Sequence, residues 1–234
     1  MTLMMQHIAG IVGRRGASGA TTMFSLIGSA NIAVAYKLYP DATDSKGSKD
    51  GTNNGGSFVT ESPSVLPGSW SGITNDYIDC GVSLGLVTNV ISVSAWVKRP
   101  QSSGTMDVVG EDSGTQSNWS LVPYNGGLSF QIFVGGVAKT GGFGAELPDD
   151  VWAHVLGIYD GSEIKIYVNG VLGSTVTSVT GNIDTDTVGL NIGRRDDGSR
   201  FMNGEISQIV VATTDLTSIK DDIYNSGNGI PMGD

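Results

Sequence analysis

The chain has one cysteine in 234 residues, Cys80, so no internal disulfide can form. Cys80 ends the strand-like run Tyr77-Ile78-Asp79-Cys80 and reads as a small buried hydrophobe, not a nucleophile. Basic residues are scarce: 13 Lys and Arg face 23 Asp and Glu, for a net charge of −10. An acidic surface repels phosphate backbones, which argues against nucleic acid as a partner. No apolar run reaches spanning length, so no membrane span is expected. A signal peptide is not expected either: no positive charge precedes the apolar residues at the start, and Arg14-Arg15 follow them. With only His7 and His154, there is no histidine pair for a metal or a dyad.

Glycine, by contrast, is abundant at 35 residues, with much Ser, Thr, Asn and Asp around it. This is turn chemistry in quantity, and it favours many short strands over helices. The stretch WAHVLGIYDGSEIKIYVNG, residues 152–170, shows the pattern. Asp160-Gly161 is a hairpin signal, and Asn169-Gly170 another. After the first turn, Ile164, Ile166 and Val168 alternate with Glu163 and Lys165, which makes a half-buried strand. The strand before it is apolar on both faces, so it belongs near a sheet centre. His154 on that strand reads as a hydrogen-bonded structural residue.

Similar runs recur at intervals of roughly 8–12 residues, the spacing of a sandwich. Expected strands include 32–38, 57–60, 76–80, 90–98, 106–110, 118–124, 128–133, 152–159, 163–168, 171–177, 188–193 and 205–212. Residues 41–56 read as a polar loop, and Asp215 can cap one short helix over 216–225. Residues 1–30 lack alternation and read as an N-terminal arm, packed on its own domain or on a neighbouring subunit. Residues 31–234 form the remaining domain. GRRGASGA, from Gly13, lacks the Gly-Lys-Ser/Thr ending of a phosphate loop.

Four pieces carry a family resemblance: AYKLYPDATDSKGSKDGTNNGG, ISVSAWVKRP, WAHVLGIYDGSEIKIYVNGVLGS and LNIGRRDDGSRFMNGEISQIVV. In this order they resemble the laminin-G-like, concanavalin A-like lectin jelly rolls, in the pentraxin-related form of bacterial and phage surface proteins. The third piece is the most specific, and the resemblance covers about residues 31–226. It implies an all-β fold, an antiparallel two-sheet jelly-roll sandwich with one short C-terminal helix. It does not imply a function, since this fold hosts lectins, glucanases, adhesion modules and virion proteins.

The Glu-x-Asp-x-x-Glu spacing of the glucanase relatives is absent. Glu111-Asp112, Asp149-Asp150 and Asp196-Asp197 read as turn or solvated pairs, so no catalytic residue is expected and the chain is not expected to be an enzyme. Asp41, Asp44 and Asp50 are oxygen donors of the kind calcium takes. In the family, a calcium site often draws on an acidic pair in the closing strand, and here Ser207 and Gln208 replace that pair. No metal and no cofactor are therefore expected, with calcium at the long loop as the alternative. Trp70, Phe143, Trp119 and Tyr124 are the candidate carbohydrate or partner contacts, because Trp70 (PGSWSG) and Phe143 (GGFGAE) stand in glycine-rich stretches that look like loops.

Such a chain reads as a non-enzymatic binding or structural module. The missing signal and the arm favour a virion surface protein, made in the host cytoplasm. It would be a phage head decoration protein, or a tail or fibre component. Its partners would be a major capsid or other virion protein and copies of itself, trimers suiting three-fold positions, with a cell-surface glycan as a further ligand. The alternative is a soluble carbohydrate-binding or adhesion module.

Overall fold

The computed structural model describes residues 20–47, 49–100 and 104–233, with the backbone alone over 143–145. The first strands in chain order are β1 (Ile32–Tyr36), β2 (Thr52–Asn54), β3 (Ser57–Val59), β4 (Ser69–Gly72), β5 (Tyr77–Asp79) and β6 (Ile91–Lys98). Next come β7 (Val109–Asp112), β8 (Ser117–Tyr124), β9 (Gly127–Val134), β10 (Val137–Glu146) and β11 (Ala153–Tyr159). The last are β12 (Glu163–Val168), β13 (Val171–Thr177), β14 (Asn191–Ile192) and β15 (Gly204–Ala212). One sheet runs β13-β12-β11-β6-β15-β4-β3, with β1 added on β15, and the other runs β10-β9-β8-β7-β14-β5-β2. All their pairings are antiparallel. This is the two-sheet sandwich expected from the turn spacing.

The core between the sheets follows from period-two alternation. Val93, Ala95, Val97, Val155, Ile164 and Ile166 of one sheet share a single buried cluster with Val109, Trp119, Leu121, Phe130 and Ile132 of the other. The sheets close tightly at Gly157, where an added Cβ would stand 2.4 Å from Phe130 Cγ. The second hairpin is as its sequence demands: Asn169 and Gly170 have φ of 51° and 77° between β12 and β13. At Asp160-Gly161 the loop has three residues, 160–162, one more than a two-residue turn. The Asp160 carboxylate accepts from the Ser162 and Glu163 N–H groups and Lys165 Nζ, which hold its pKa well below the usual carboxylate range although burial pushes it up.

The other face of the larger sheet is also buried. Leu156, Ile158, Tyr167, Val210 and Ala212 point away from the main core into a second cluster with Met23, Phe24, Ile27, Leu216, Ile223, Ile230 and Met232. Helix α1 (Met23–Ile27) and helix α2 (Lys220–Tyr224) supply part of that cover. Thr22 and Ser25 cap α1 reciprocally, and the Met23 and Phe24 N–H groups bond to the carbonyls of Pro231 and Met232 at 2.8 and 3.0 Å. Residues 22–30 of the expected arm thus pack on their own domain, while residues 1–19 lie outside the described residues. Asp215 accepts the Thr217 N–H at 2.7 Å, as a capping residue does, although the regular α-turns begin only at Lys220.

Several local expectations shift. The expected loop 41–56 contains β2, and the strand expected over 106–110 lies at Val109–Asp112. Trp70 and Phe143 sit in strands β4 and β10, not in loops. The glycines around Trp70 make room for its indole instead: Cβ atoms added at Gly72, Gly56 and Gly193 would stand 2.2, 2.5 and 2.8 Å from that side chain.

Candidate functional site

With the larger sheet covered on both faces, the outward face of the seven-stranded sheet is the broad surface left for a ligand. Its middle is a single cross-strand row, buried at its centre (Ser120, Gly110, Asn191) and open towards its ends. Thr140 pairs with Gln131, Gln131 with Ser120, Ser120 with Gly110, Gly110 with Asn191, Asn191 with Asp79, and Asp79 with Thr52. Every member is polar or glycine. Within β8, β9, β7, β14 and β5 each alternates with core residues, namely Trp119 and Leu121, Phe130 and Ile132, Val109, Ile192, and Ile78. From Gln131 to Asp79 the row crosses four strand intervals, or about 19 Å.

Residues 193–203 fold back over the centre of this row. Asn191 donates to Asp196 Oδ1 at 2.8 Å and accepts from Arg194 Nε at 3.0 Å. The Arg194 guanidinium lies 3.5 Å above the Tyr77 ring, a cation–π contact at one flank. Arg195 pairs with Asp197 and lies against Gly114. Arg200, with a left-handed φ of 54°, puts Nη1 3.6 Å from both Asp107 Oδ1 and Asp112 Oδ2. Arg200 also lines a pocket of about 180 Å³ with Thr105, Val122, Tyr124, Ser129 and Gln131. Tyr124 stands at its rim, 36% exposed.

The electrostatics centre on Asp107, which is fully buried. Neither of its oxygens has a hydrogen bond among the described residues. Burial pushes its pKa up to about 7, Asp112 adds to the rise, and Arg200 and Arg195 oppose it. Asp112 is 3% exposed, and its Oδ1 accepts from the Gly114 N–H at 2.7 Å and Ser117 Oγ at 2.6 Å. Both carboxylates are therefore beneath Arg200 and out of reach of a substrate. Glu111 faces inward and is spent on structure: it accepts from the Leu84 N–H, Ser83 Oγ and Asn118 Nδ2.

The four candidate contacts separate here. Tyr124 is at the pocket. Trp70 and Trp119 have no exposed surface and are core residues, which corrects the expectation of an external contact. Trp70 instead donates to Asn53 Oδ1 at 3.0 Å. The Phe143 side chain lies outside what is described. Sequence reasoning missed Arg200, Gln131, Asn191 and Asp107, which are scattered in sequence and meet only through strand pairing. RRDDGSR was the available signal, three arginines in seven residues of an acidic chain.

The remaining candidates also have structural partners. Asp44 is buried, and its carboxylate accepts the N–H groups of Ala35, Lys46 and Lys49, so it organises the long loop. Among the described residues no cluster of three or more His, Cys, Asp or Glu could hold a metal ion. Asp149 pairs with the buried Arg99 at 3.1 Å. His154 shares a 2.8 Å hydrogen bond with Ser94, and burial lowers its basicity to about 3, which fits the structural role expected for it. Cys80 is a buried free thiol, pushed by burial up to about 12.

A family model described as the concanavalin A-like lectin/glucanases superfamily, of laminin-G type, matches residues 71–219. The chain belongs to this family. Among solved structures it is similar to domain 4 of AbnA, a GH43 extracellular arabinanase from Geobacillus stearothermophilus, solved in complex with arabinotriose. That likeness has a TM-score of 0.64 and 20% identity, over 82% of this chain and 97% of that one. The binding domain of Paraclostridial Mosquitocidal Protein 1 is similar at TM-score 0.65 and 14% identity, over 85% and 52%. The botulinum neurotoxin type G receptor-binding domain is similar at 0.62 and 14%, over 83% and 51%. The chain thus spans about half the length of these toxin domains. No curated protein sequence matches it. At such identities the neighbours of this laminin-G-type chain show its fold alone.

The buried carboxyl of Asp107 generates a prediction. A folded-state value near 7 lies above the ordinary unfolded value near 4, so the group's stabilising contribution is present in acid and is lost as pH rises through 7. His154 acts with the opposite sign, losing its contribution as pH falls from about 6.5 towards 3. Between about pH 6 and about pH 8 an Asp107 loss of about 1.4 kcal/mol outweighs a His154 gain of about 0.8 kcal/mol, so stability should fall by roughly 0.5 kcal/mol. Asp107→Asn should reverse the slope, so that thermal stability rises with pH across that window; a variant profile parallel to that of the parent protein would remove Asp107 as the source.

Proposed function

We propose that this chain is a non-catalytic carbohydrate-binding module that holds an oligosaccharide at the Tyr124 pocket on the outward face of its seven-stranded sheet. The observation that carries this reading is that pocket, where the half-exposed Tyr124 and Gln131 meet Thr105, Ser129 and Arg200 beside the polar cross-strand row. Sugars are recognised by aromatic faces together with fixed amide, hydroxyl and guanidinium groups. Tyr124, Gln131, Ser129, Thr105 and Arg200 are such a set around one pocket. The family and the arabinotriose-bound arabinanase domain support the same ligand class. Glycoside hydrolysis needs two carboxyl groups that flank the scissile bond. Asp107 and Asp112 instead flank a guanidinium and are covered by it, which supports binding without turnover.

The virion setting is a narrower proposal, with a capsid protein and further copies of the chain as partners. It is motivated by the sequence of residues 1–30. Mass spectrometry of purified particles that consistently lacks this chain would remove that setting and leave the binding module standing.

Calorimetric titration with arabinotriose and with short glucan and xylan oligosaccharides tests the binding reading. A dissociation constant between about 10 μM and about 1 mM is expected for at least one of them. Arg200→Ala and Tyr124→Ala should each weaken binding by about tenfold or more. No saturable binding, or full affinity in both variants, would contradict the assignment of the face. Release of reducing ends from the bound oligosaccharide would contradict the absence of catalysis.

A further inference from the structure

Five Asn-Gly dipeptides occur in the chain, beginning at Asn54, Asn125, Asn169, Asn203 and Asn228. Each is chemically able to cyclise, since a following glycine puts no side chain in the way of its own nitrogen. The structure treats them very differently. Asn54 lies in β2 with its carboxamide donating to the Thr52 carbonyl at 2.9 Å, and a Cβ added at Gly55 would meet Asp76 at 2.0 Å. Asn169 accepts the His154 N–H at 2.9 Å, and Gly170 lies against Asp221 and Tyr224. Gly204 is paired into β15, where an added Cβ would stand 2.3 Å from the Lys98 carbonyl oxygen. At Asn228 the carboxamide donates to the Asn225 carbonyl, and the N–H of the buried Gly229 bonds to the Tyr224 carbonyl at 3.3 Å.

Asn125-Gly126 has none of these restraints. It forms the two-residue turn between β8 and β9, with φ of 46° and 86°. Asn125 is exposed, and no hydrogen bond among the described residues holds its carboxamide. Nothing lies within 4 Å of a Cβ placed on Gly126. The neighbouring Asp-Gly turn shows the contrast: the Asp160 carboxylate is bonded by Ser162, Glu163 and Lys165.

We propose that Asn125 is this chain's principal site of spontaneous covalent modification, by deamidation through a cyclic imide. The Gly126 backbone nitrogen attacks Asn125 Cγ and forms a C–N bond. The bond from Cγ to the carboxamide nitrogen breaks, and that nitrogen leaves as ammonia, taking the proton from the Gly126 nitrogen. Water then opens the five-membered imide at either carbonyl, giving aspartate or isoaspartate. Either product places a carboxylate next to Tyr124. Isoaspartate also lengthens the main chain by one carbon in a turn whose register, Tyr124 opposite Gly127, fixes the β8–β9 hairpin.

The test is to hold the intact protein near pH 8 at about body temperature for several weeks and map its peptides by mass spectrometry. Each product raises the peptide mass by about one dalton. An enzymatic methyl-acceptor assay counts isoaspartate in parallel. Residue 125 should be modified several-fold faster than residues 54, 169, 203 or 228, and Asn125→Ser should remove most of the isoaspartate. Equal or faster conversion at any of the other four positions would overturn the proposal. So would an Asn125→Ser protein that forms isoaspartate at the parent rate.

Discussion

The burial of the eight-stranded sheet on both faces is the constraint from which the rest follows. Strand β6 has seven successive buried residues, Ile91–Val97, and β11 is buried throughout. A strand that is apolar on both sides cannot face water, so a second layer must cover it. Met23, Phe24 and Ile27 on one side of the chain and Leu216, Ile223, Ile230 and Met232 on the other supply that layer. Each of these large side chains contributes about 1.5–3 kcal/mol when fully withdrawn from water. The two ends of the described chain are thereby tied to one sheet. The other sheet keeps a polar row on its outward face, buried at its centre under residues 193–203 and open at the Tyr124 pocket.

On that face, positive and negative charges are set close together. Arg200 is equidistant from two buried carboxyl groups, and burial pushes the pKa of one of them, Asp107, up to about 7. Burying a lone carboxylate is costly, and an adjacent guanidinium offsets part of that cost. The left-handed backbone of Arg200 further restrains the side chain that walls the Tyr124 pocket. Arg194 is fixed by Asn191 and stacked on Tyr77. The arginines are therefore preorganised before any ligand arrives, which lowers the ordering cost of binding.

The fold was legible because its signals are local. Alternation in residues 163–168 and the Asn169-Gly170 turn identify a hairpin without any knowledge of the partner sheet. Trp70 shows where local reading fails. PGSWSG looks like an exposed loop because glycine usually marks turns, yet Gly56, Gly72 and Gly193 are small so that an indole can pack among them. Two of those glycines are distant in sequence from the third. The site was less legible for the same reason. Gln131, Ser120, Gly110 and Asn191 become neighbours only through the registers of four strands, and register is set by the whole sheet. Tyr124 was a candidate as an aromatic, but nothing local distinguished it from Trp119, which is buried. Asp107 was missed because its pKa is raised by burial, which no stretch of sequence displays.

The most direct measurement of the central claim is NMR shift mapping of the isotope-labelled protein during titration with arabinotriose and with glucan and xylan oligosaccharides. The account predicts that perturbed amides cluster on the outward face of the seven-stranded sheet, at residues such as Ser120, Tyr124, Gln131, Asn191 and Arg200, with the second cluster around Met23 and Ile223 unmoved. Perturbations confined to the second cluster around Met23 and Ile223, or to no common surface, would contradict it.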